Sequence, residues 1–439
     1  MFDRNDSFLT TGRLLGLALS ALALTACSTT SSSSTGGSDS GGASSTGGAG
    51  GNGGASTNGA ALEPQDVTIL YPYPSPDKLS SLLTADSSGD QGELIPEEPF
   101  ALLPRVVSHP LEHENAREDC YLVAARANCA YDTALKDDAC SGQLQLIFQV
   151  AQAAQNGTAV DIMDASIHAV YPLDDATFLA LVSDLREARE AHGGFASEPL
   201  SVHPLLAGQG IDGSFAQDLA AIILRYAGES TLHKVTFITI DEPTPNAMGG
   251  EVWTFGAVEK NDQEQWESLE IPAFSSKTTK QVLTSVGSAQ NLADSDFNVL
   301  TTPALPAETD LSGSFGKGAV SDESAAEEAY EVALALENPT LRSASDSDCI
   351  TCHITHARVR GELLLGLTPD GRSSYYAEGA ALEGATVTSA VGVRALGWSV
   401  FAPKPSDASS EEIVARAISQ RVVNETVYTL EQMNPLLAD

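Results

Sequence analysis

Between Ser28 and Ala61 the chain is built almost entirely of Ser, Thr, Gly, Ala and Asn (STTSSSSTGGSDSGGASSTGGAGGNGGASTNGAA). That composition offers no apolar surface to bury and no stripe for a helix or strand, so the tract cannot enter a core. A Gly/Ser chain of this length behaves as a flexible coil with an end-to-end distance of roughly 30 Å. Folding must therefore be carried by residues 62–439, which is enough chain for two or three domains or for one large one with additions. No internal repeat is present. Residues 1–26 read as an export signal. Arg4 and Arg13 supply a modest basic region, and Leu14–Leu24 (LLGLALSALAL) is apolar but too short to span a bilayer as a mature helix. No other apolar stretch approaches that length.

The apolar run ends in Leu24-Thr25-Ala26-Cys27. This pattern resembles the lipobox of bacterial lipoproteins. The resemblance implies diacylglycerol on the Cys27 sulfur, cleavage before Cys27 and acylation of the new amino terminus. Several acyl chains on one residue make a stable anchor, whereas one chain alone is marginal. The alternative is an ordinary cleaved signal that leaves Cys27 as a spare thiol. By the usual sorting rule of the same family, Ser28 in place of Asp favours the outer membrane. The expectation is an exported envelope protein, lipid-anchored through Cys27, with residues 27–61 as a tether. Which membrane face it occupies stays open.

Charge narrows the partners. The chain has 59 acidic and 23 basic residues, a formal net charge of −36. Asp3 and Asp6 balance Arg4 and Arg13, so removing the signal leaves the charge unchanged. Nucleic acid and anionic lipid surfaces are poor partners for such a body, and a basic redox protein is a better one. The bland reading of the same charge is a solvated surface tuned to its medium.

The body reads as α+β, because strand and helix patterns alternate without βαβ periodicity. Residues 62–302 form the expected β-rich body with packed helices, 303–320 a Pro/Gly linker, and 321–439 a smaller, mostly helical C-terminal region. Residues 62–115 are rich in Pro and turns, with one or two short strands. His109 and His113 stand four apart, but Pro110 argues against a helical metal face. CYLVAARANCAYD suggests a strand from Cys120. QLQLIFQV alternates, with Leu144, Leu146, Phe148 and Val150 on one side and Gln143, Gln145 and Gln149 on the other, which predicts a half-buried strand. Cys129 and Cys140 flank the connection between these two strands and are candidates for a disulfide in an exported protein, with Cys120 left odd or replacing either partner. Another strand covers 160–171. Asp174 caps a helix whose apolar face is Phe178, Leu181, Val182, Leu185 and Ala188, ended by Gly193-Gly194. A second helix covers 214–227. LHKVTFITI, EVWTFGAVE, QWESLEIP and KQVLTS predict further strands. In the C-terminal region, a helix starts near Ser321 and stops at Pro339, and a last amphipathic helix covers about 409–423 with Ile413, Val414, Ala417 and Ile418 inward. No phosphate-binding glycine loop and no Gly-x-Ser-x-Gly elbow occurs, and no carboxylate pair stands out in so acidic a chain.

One stretch carries chemistry: Cys349-Ile350-Thr351-Cys352-His353. Two thiols separated by two residues, with a histidine directly after, is the attachment pattern for a c-type haem. Each thiol adds to one porphyrin vinyl group, and the adjacent imidazole falls under the iron. The pentapeptide resembles the attachment site of c-type cytochromes, and the resemblance covers these five residues only. It implies one covalent haem c on Cys349 and Cys352, with His353 as axial iron ligand. The sixth ligand is unassigned. Met433 and Met248 are weak candidates, and Met163, His168, His203 and His233 are further ones. His356 lies on the same side of the chain as His353 and cannot easily reach the opposite haem face. The competing readings are a CxxC disulfide or a zinc site using Cys349, Cys352, His353 and His356, although zinc sites usually divide their ligands into two separated pairs. The functional expectation is electron transfer by a membrane-anchored envelope lipoprotein rather than catalysis. The alternatives are a non-haem metal or redox-thiol module at the same residues, and a surface binding or scaffold lipoprotein with no redox role.

Overall fold

The longest alternating runs of the chain become the centre of one antiparallel sheet. The computed structural model describes residues 60–103, 117–131, 140–154, 157, 159–196, 199–241, 251–268, 278–283, 338–340 and 420–438. The strands are β1 (Thr68–Leu70), β2 (Ser88–Gly89), β3 (Gly92–Glu93), β4 (Cys120–Tyr131), β5 (Cys140–Ala153), β6 (Val160–Pro172), β7 (Lys234–Asp241), β8 (Glu251–Lys260), β9 (Trp266–Ser268) and β10 (Thr278–Leu283). Eight of them form a sheet in the order β1-β4-β5-β6-β7-β8-β10, with β9 also on β8, while β2 and β3 form a separate small ribbon. From β4 to β8 every sheet strand lies beside its predecessor, so the body is a meander. The helices are α1 (Pro64–Val67), α2 (Glu97–Ala101), α3 (Asp175–Ala191), α4 (Pro204–Gln209), α5 (Ser214–Tyr226) and α6 (Gln420–Leu437). The α+β class expected from alternating patterns is the class observed.

One sheet face is apolar by register. Leu144, Leu146 and Phe148 on β5 stand opposite Ala127, Ala125 and Leu122 on β4. The same three stand opposite Tyr171, Ala169 and Ile167 on β6. Ala169 and Ile167 then meet Val235 and Phe237 on β7. All of these are buried, and each large side chain removed from water contributes roughly 1.5–3 kcal/mol. Helices α3 and α5 cover this face. Asp174 caps α3 by accepting from the Thr177 N–H at 2.8 Å. Gly193 and Gly194 end that helix at φ 89° and 65°, where a side chain would be strained. Gly142 makes the close approach possible, because a Cβ there would stand 2.2 Å from Phe178 Cγ.

The opposite face differs from the expectation. Gln143, Gln145 and Gln149 are 3%, 5% and 2% exposed, so β5 is buried on both faces. Their neighbours explain how polar side chains tolerate this. Gln145 Oε1 accepts from Arg126 Nη1 and Asn128 Nδ2, both at 3.3 Å. Arg126 Nη2 lies 2.8 Å from Glu425 Oε2, and Arg421 Nε donates to Glu425 Oε1 at 2.8 Å. Alternation reports that a strand has two chemically different faces, but not that the polar one is wet. Buried polar groups need partners, and Gln145, Arg126 and Asn128 partner one another, whereas Gln143 Nε2 has no hydrogen-bond partner among the described residues.

Helix α6 also departs from expectation. Its described part runs from Gln420 to Leu437, beyond the Val423 boundary, and contains Pro435 near its end; residues 409–419 lie outside the described residues. It covers the edge of β4 that the three-residue β1 leaves open. The Cys129 N–H donates to Thr429 Oγ1 at 3.0 Å, and Thr426 Oγ1 is 2.7 Å from Thr68 Oγ1. A covered edge does not template another strand. The linker at 303–320 and the helix from Ser321 lie outside the described residues. All described residues belong to one unit, Thr57–Asp439, so the C-terminal helix is part of the body.

Candidate functional site

Cys349, Cys352, His353 and His356 lie outside the described residues, as do Cys27, Met248, His109 and His113. The structure does place several other members of the donor set, most of them with a role in the fold. Cys129 and Cys140 form a disulfide across the β4–β5 connection, with Cα atoms 5.0 Å apart. Cys120 is buried at the start of β4, and burial, with Asp119, Asp86 and Glu118 nearby, pushes its thiol up, so it has no nucleophilic form at neutral pH. Of six cysteines, three are thus used by the fold, and the remaining three are Cys27 and the pair in the Cys-x-x-Cys-His stretch.

The sixth-ligand candidates divide in the same way. Met433 is 4% exposed and packs in the hydrophobic core, which explains its presence without a metal. His203 caps α4, its Nδ1 accepting from the Leu205 N–H at 3.2 Å, and its ring stacks on Phe215 with centroids 4.5 Å apart. Burial, and then Arg189, pull its imidazole down to about 3. His233 Nε2 lies 3.0 Å from Glu259 Oε1. His168 stands on the polar sheet face opposite Thr236 and Ile147. Burial, then the Arg126 and Arg421 guanidiniums, lower its imidazole to about 3, so it stays neutral. Met163 lies on β6, with its side chain outside the described set. Among the described residues no three His, Cys, Asp or Glu side chains are gathered to hold a metal ion.

The first described residues are held by several contacts. The Ala60 N–H donates to Glu190 Oε1 at 2.9 Å, Arg189 Nη2 donates to the Ala61 carbonyl at 2.9 Å, and the Leu62 N–H donates to Asn434 Oδ1 at 2.7 Å. Arg189 Nη1 also holds Asp66 Oδ2 at 2.7 Å, with both side chains buried. Burial dominates this carboxyl and raises it to about 7, although Arg189 opposes the rise.

A second arrangement had no sequence signal. His192, at the C-terminal cap of α3, sits between two side chains of α5. Its Nε2 is 2.8 Å from Asp218 Oδ2, and its Nδ1 is 3.4 Å from Ser214 Oγ. The Phe215 ring meets the imidazole edge-on, centroids 5.5 Å apart, and limits its rotation. The three residues are too far apart in sequence and too common in type for a pattern search to connect them. Only the packing of α3 on α5 does so.

Comparison of the chain with protein-family models, with characterised proteins and with solved structures gave no match. No helix among the described residues is long and apolar enough to cross a membrane.

Proposed function

We propose that this chain is an exported lipoprotein, anchored in the outer membrane through acylated Cys27, that carries one covalent c-type haem and transfers electrons. The observation that carries the reading is the Cys349-Ile-Thr-Cys352-His353 pentapeptide. Its donor set fits the group: two thiols for the two vinyl carbons and one imidazole for the iron. The pairing of Cys129 with Cys140 supports it, since neither of these cysteines then competes for the two motif thiols. The disulfide supports an oxidising compartment, where covalent haem is attached. The haem would supply a one-electron ferric–ferrous couple. The residues Cys349 and Cys352 would hold it, and His353 would fix the iron from one side. The acidic body would favour a basic redox partner.

Covalent haem survives denaturation, so a haem-stained denaturing gel of protein made with the cytochrome maturation system gives the test. The expected result is a stained band at the mature mass, a sharp alpha band in the reduced-minus-oxidised spectrum, and loss of both in Cys349→Ser/Cys352→Ser. An unstained band with stoichiometric zinc would replace this reading with a metal module at the same residues.

A further inference from the structure

We propose that Ser214, His192 and Asp218 form a second, haem-independent site that hydrolyses small uncharged or cationic carboxylic esters. The three side chains stand in a relay. Asp218 Oδ2 accepts from His192 Nε2 at 2.8 Å, which leaves Nδ1 as the acceptor that faces Ser214 Oγ at 3.4 Å. A serine is activated when its hydroxyl proton can pass to a base that a third group orients. The contact is looser than a working hydrogen bond, as is common before substrate is bound. Gln209 Oε1, 3.2 Å from the same hydroxyl, competes for its proton.

The surroundings supply the other requirements. Ser214 is the first residue of α5, a helix of 13 residues. Of the amide groups in that first turn, Phe215 donates to Gln209 Oε1 and Gln217 donates to the Gly213 carbonyl. The Ser214 and Ala216 N–H groups have no acceptor among the described residues, and such groups stabilise developing negative charge. Ser214 is exposed and so reachable from solvent, whereas the His192 side chain is 14% exposed and shielded by Phe215. The Asp212 and Asp218 carboxylates flank the serine, Asp212 being held by Lys78 Nζ at 2.5 Å. With Asp212 neutralised by Lys78, the exposed Asp218 carboxylate is what disfavours anionic substrates and sets the substrate class. Gly213 fits the turn because a Cβ there would lie 2.8 Å from the Gln209 carbonyl oxygen.

In the reaction, Ser214 Oγ bonds to the acyl carbon as its proton passes to His192 Nδ1. The ester C–O bond breaks, and the departing alcohol takes that proton. Water then attacks the acyl-serine, gives its proton to the same nitrogen, and the carboxylic acid leaves as Ser214 recovers its hydrogen. Asp218 is a positioning residue that holds the ring and its tautomer.

The experiment uses the full mature chain with an uncharged alkyl fluorophosphonate probe, peptide mass spectrometry and 4-nitrophenyl acetate turnover. The expected result is labelling at Ser214, with Ser214→Ala abolishing both labelling and turnover above background. His192→Ala should lower turnover by about a hundredfold or more. Asp218→Asn should lower it by about tenfold or more through the wrong tautomer. Near-ultraviolet circular dichroism checks that each variant retains its packing. Failure of the wild-type chain to label, or equal turnover by the wild type and a folded Ser214→Ala, overturns the proposal and leaves the cluster as a brace between α3 and α5. Haem staining plays no part in either outcome.

Discussion

Glu425→Ala is expected to lower the stability of the body by about 3–5 kcal/mol, the usual consequence of removing one partner from a buried ion pair. The carboxylate is the single anion shared by two guanidiniums. Arg421 Nε and Arg126 Nη2 each lie 2.8 Å from one of its oxygens, and the three side chains are 8%, 3% and 4% exposed for Arg421, Arg126 and Glu425. Burial pushes the Glu425 carboxyl up, yet Arg421 and then Arg126 outweigh it and hold it below its ordinary value. Without the carboxylate, the two guanidiniums lose the anion they share across the contact between α6 and β4. A native domain has about 5–15 kcal/mol in total, so the loss should move the urea midpoint far and leave the slope unchanged. The triple replacement Arg126→Met/Arg421→Leu/Glu425→Leu removes all three charges of the contact and should cost much less than Glu425→Ala, as buried ionic clusters exchanged for apolar groups often do. Urea unfolding of the mature chain, followed by circular dichroism with the Cys129–Cys140 bond intact, measures both. A loss below about 1 kcal/mol for Glu425→Ala, the range of an exposed pair, would refute the placement of α6 in the core. The same lowered carboxyl predicts that this contribution is present above the ordinary glutamate range and is lost as pH falls through the folded value.

Three further outcomes follow from the described contacts. Cys129→Ser/Cys140→Ser should cost about 3 kcal/mol by chain entropy for a loop of this size, read as a drop in urea midpoint against wild type under non-reducing conditions. Asp66, raised to about 7 in the fold from an ordinary value of 3.8, makes stability fall as pH rises from about 4 to about 7, because the folded state keeps a proton that the unfolded chain gives up. Asp66→Asn should flatten that slope in midpoint-versus-pH measurements, and an unchanged slope would assign it to other groups. Gly142→Ala drives a Cβ into the Phe178 ring and should destabilise by about 1–3 kcal/mol, with Phe178→Leu/Gly142→Ala recovering part of the loss in a double-mutant cycle.

The sheet was legible wherever period and punctuation agreed. β4 to β10 each overlap a run read as a strand, and α3 and α5 follow their apolar stripes from Asp174 and Ser214. Helix α6 was legible only over its described residues 420–423. Its buried face contains Val422, Thr426, Thr429 and Met433, interrupted by buried Arg421, Asn424 and Glu425. Buried hydroxyls and charges within the stripe do not read as a core face, and Pro435 reads as a stop. The wet-face reading of Gln143, Gln145 and Gln149 failed for the same reason. Their burial depends on Arg126, Asn128 and a helix nearly three hundred residues away (|i−j| = 300 for the Cys129–Thr429 contact), and no local pattern contains that information. The haem motif is the reverse case. Five adjacent residues state its chemistry, because covalent attachment demands fixed spacing, whereas Ser214, His192 and Asp218 come together only through tertiary packing.

The two ends of the described body bear on the proposal of a haem-bearing segment. The Leu62 N–H donates to Asn434 Oδ1 at 2.7 Å, and Asn434 Nδ2 donates back to the Leu62 carbonyl at 3.4 Å. Arg186 Nη1, on α3, reaches the Leu437 carbonyl at 3.5 Å. Leu62 therefore lies beside the end of α6. The Cys-x-x-Cys-His stretch lies between Thr340 and Gln420, with buried Asn338 before it and buried Arg421 after it. A segment with both ends in the fold is an insertion rather than a tail, and the entropy of closing it rises only slowly with its length. Freeing one end should then matter more than lengthening the segment. Truncation before Gln420 would remove Glu425, Thr426 and Thr429 together, exposing the β4 edge and the polar sheet face. If covalent haem attachment reads only the pentapeptide, the truncated chain still stains for haem although its body is destabilised. If attachment needs the segment held at both ends, staining falls with the loss of α6, and a haem-stained gel of the two forms separates the cases.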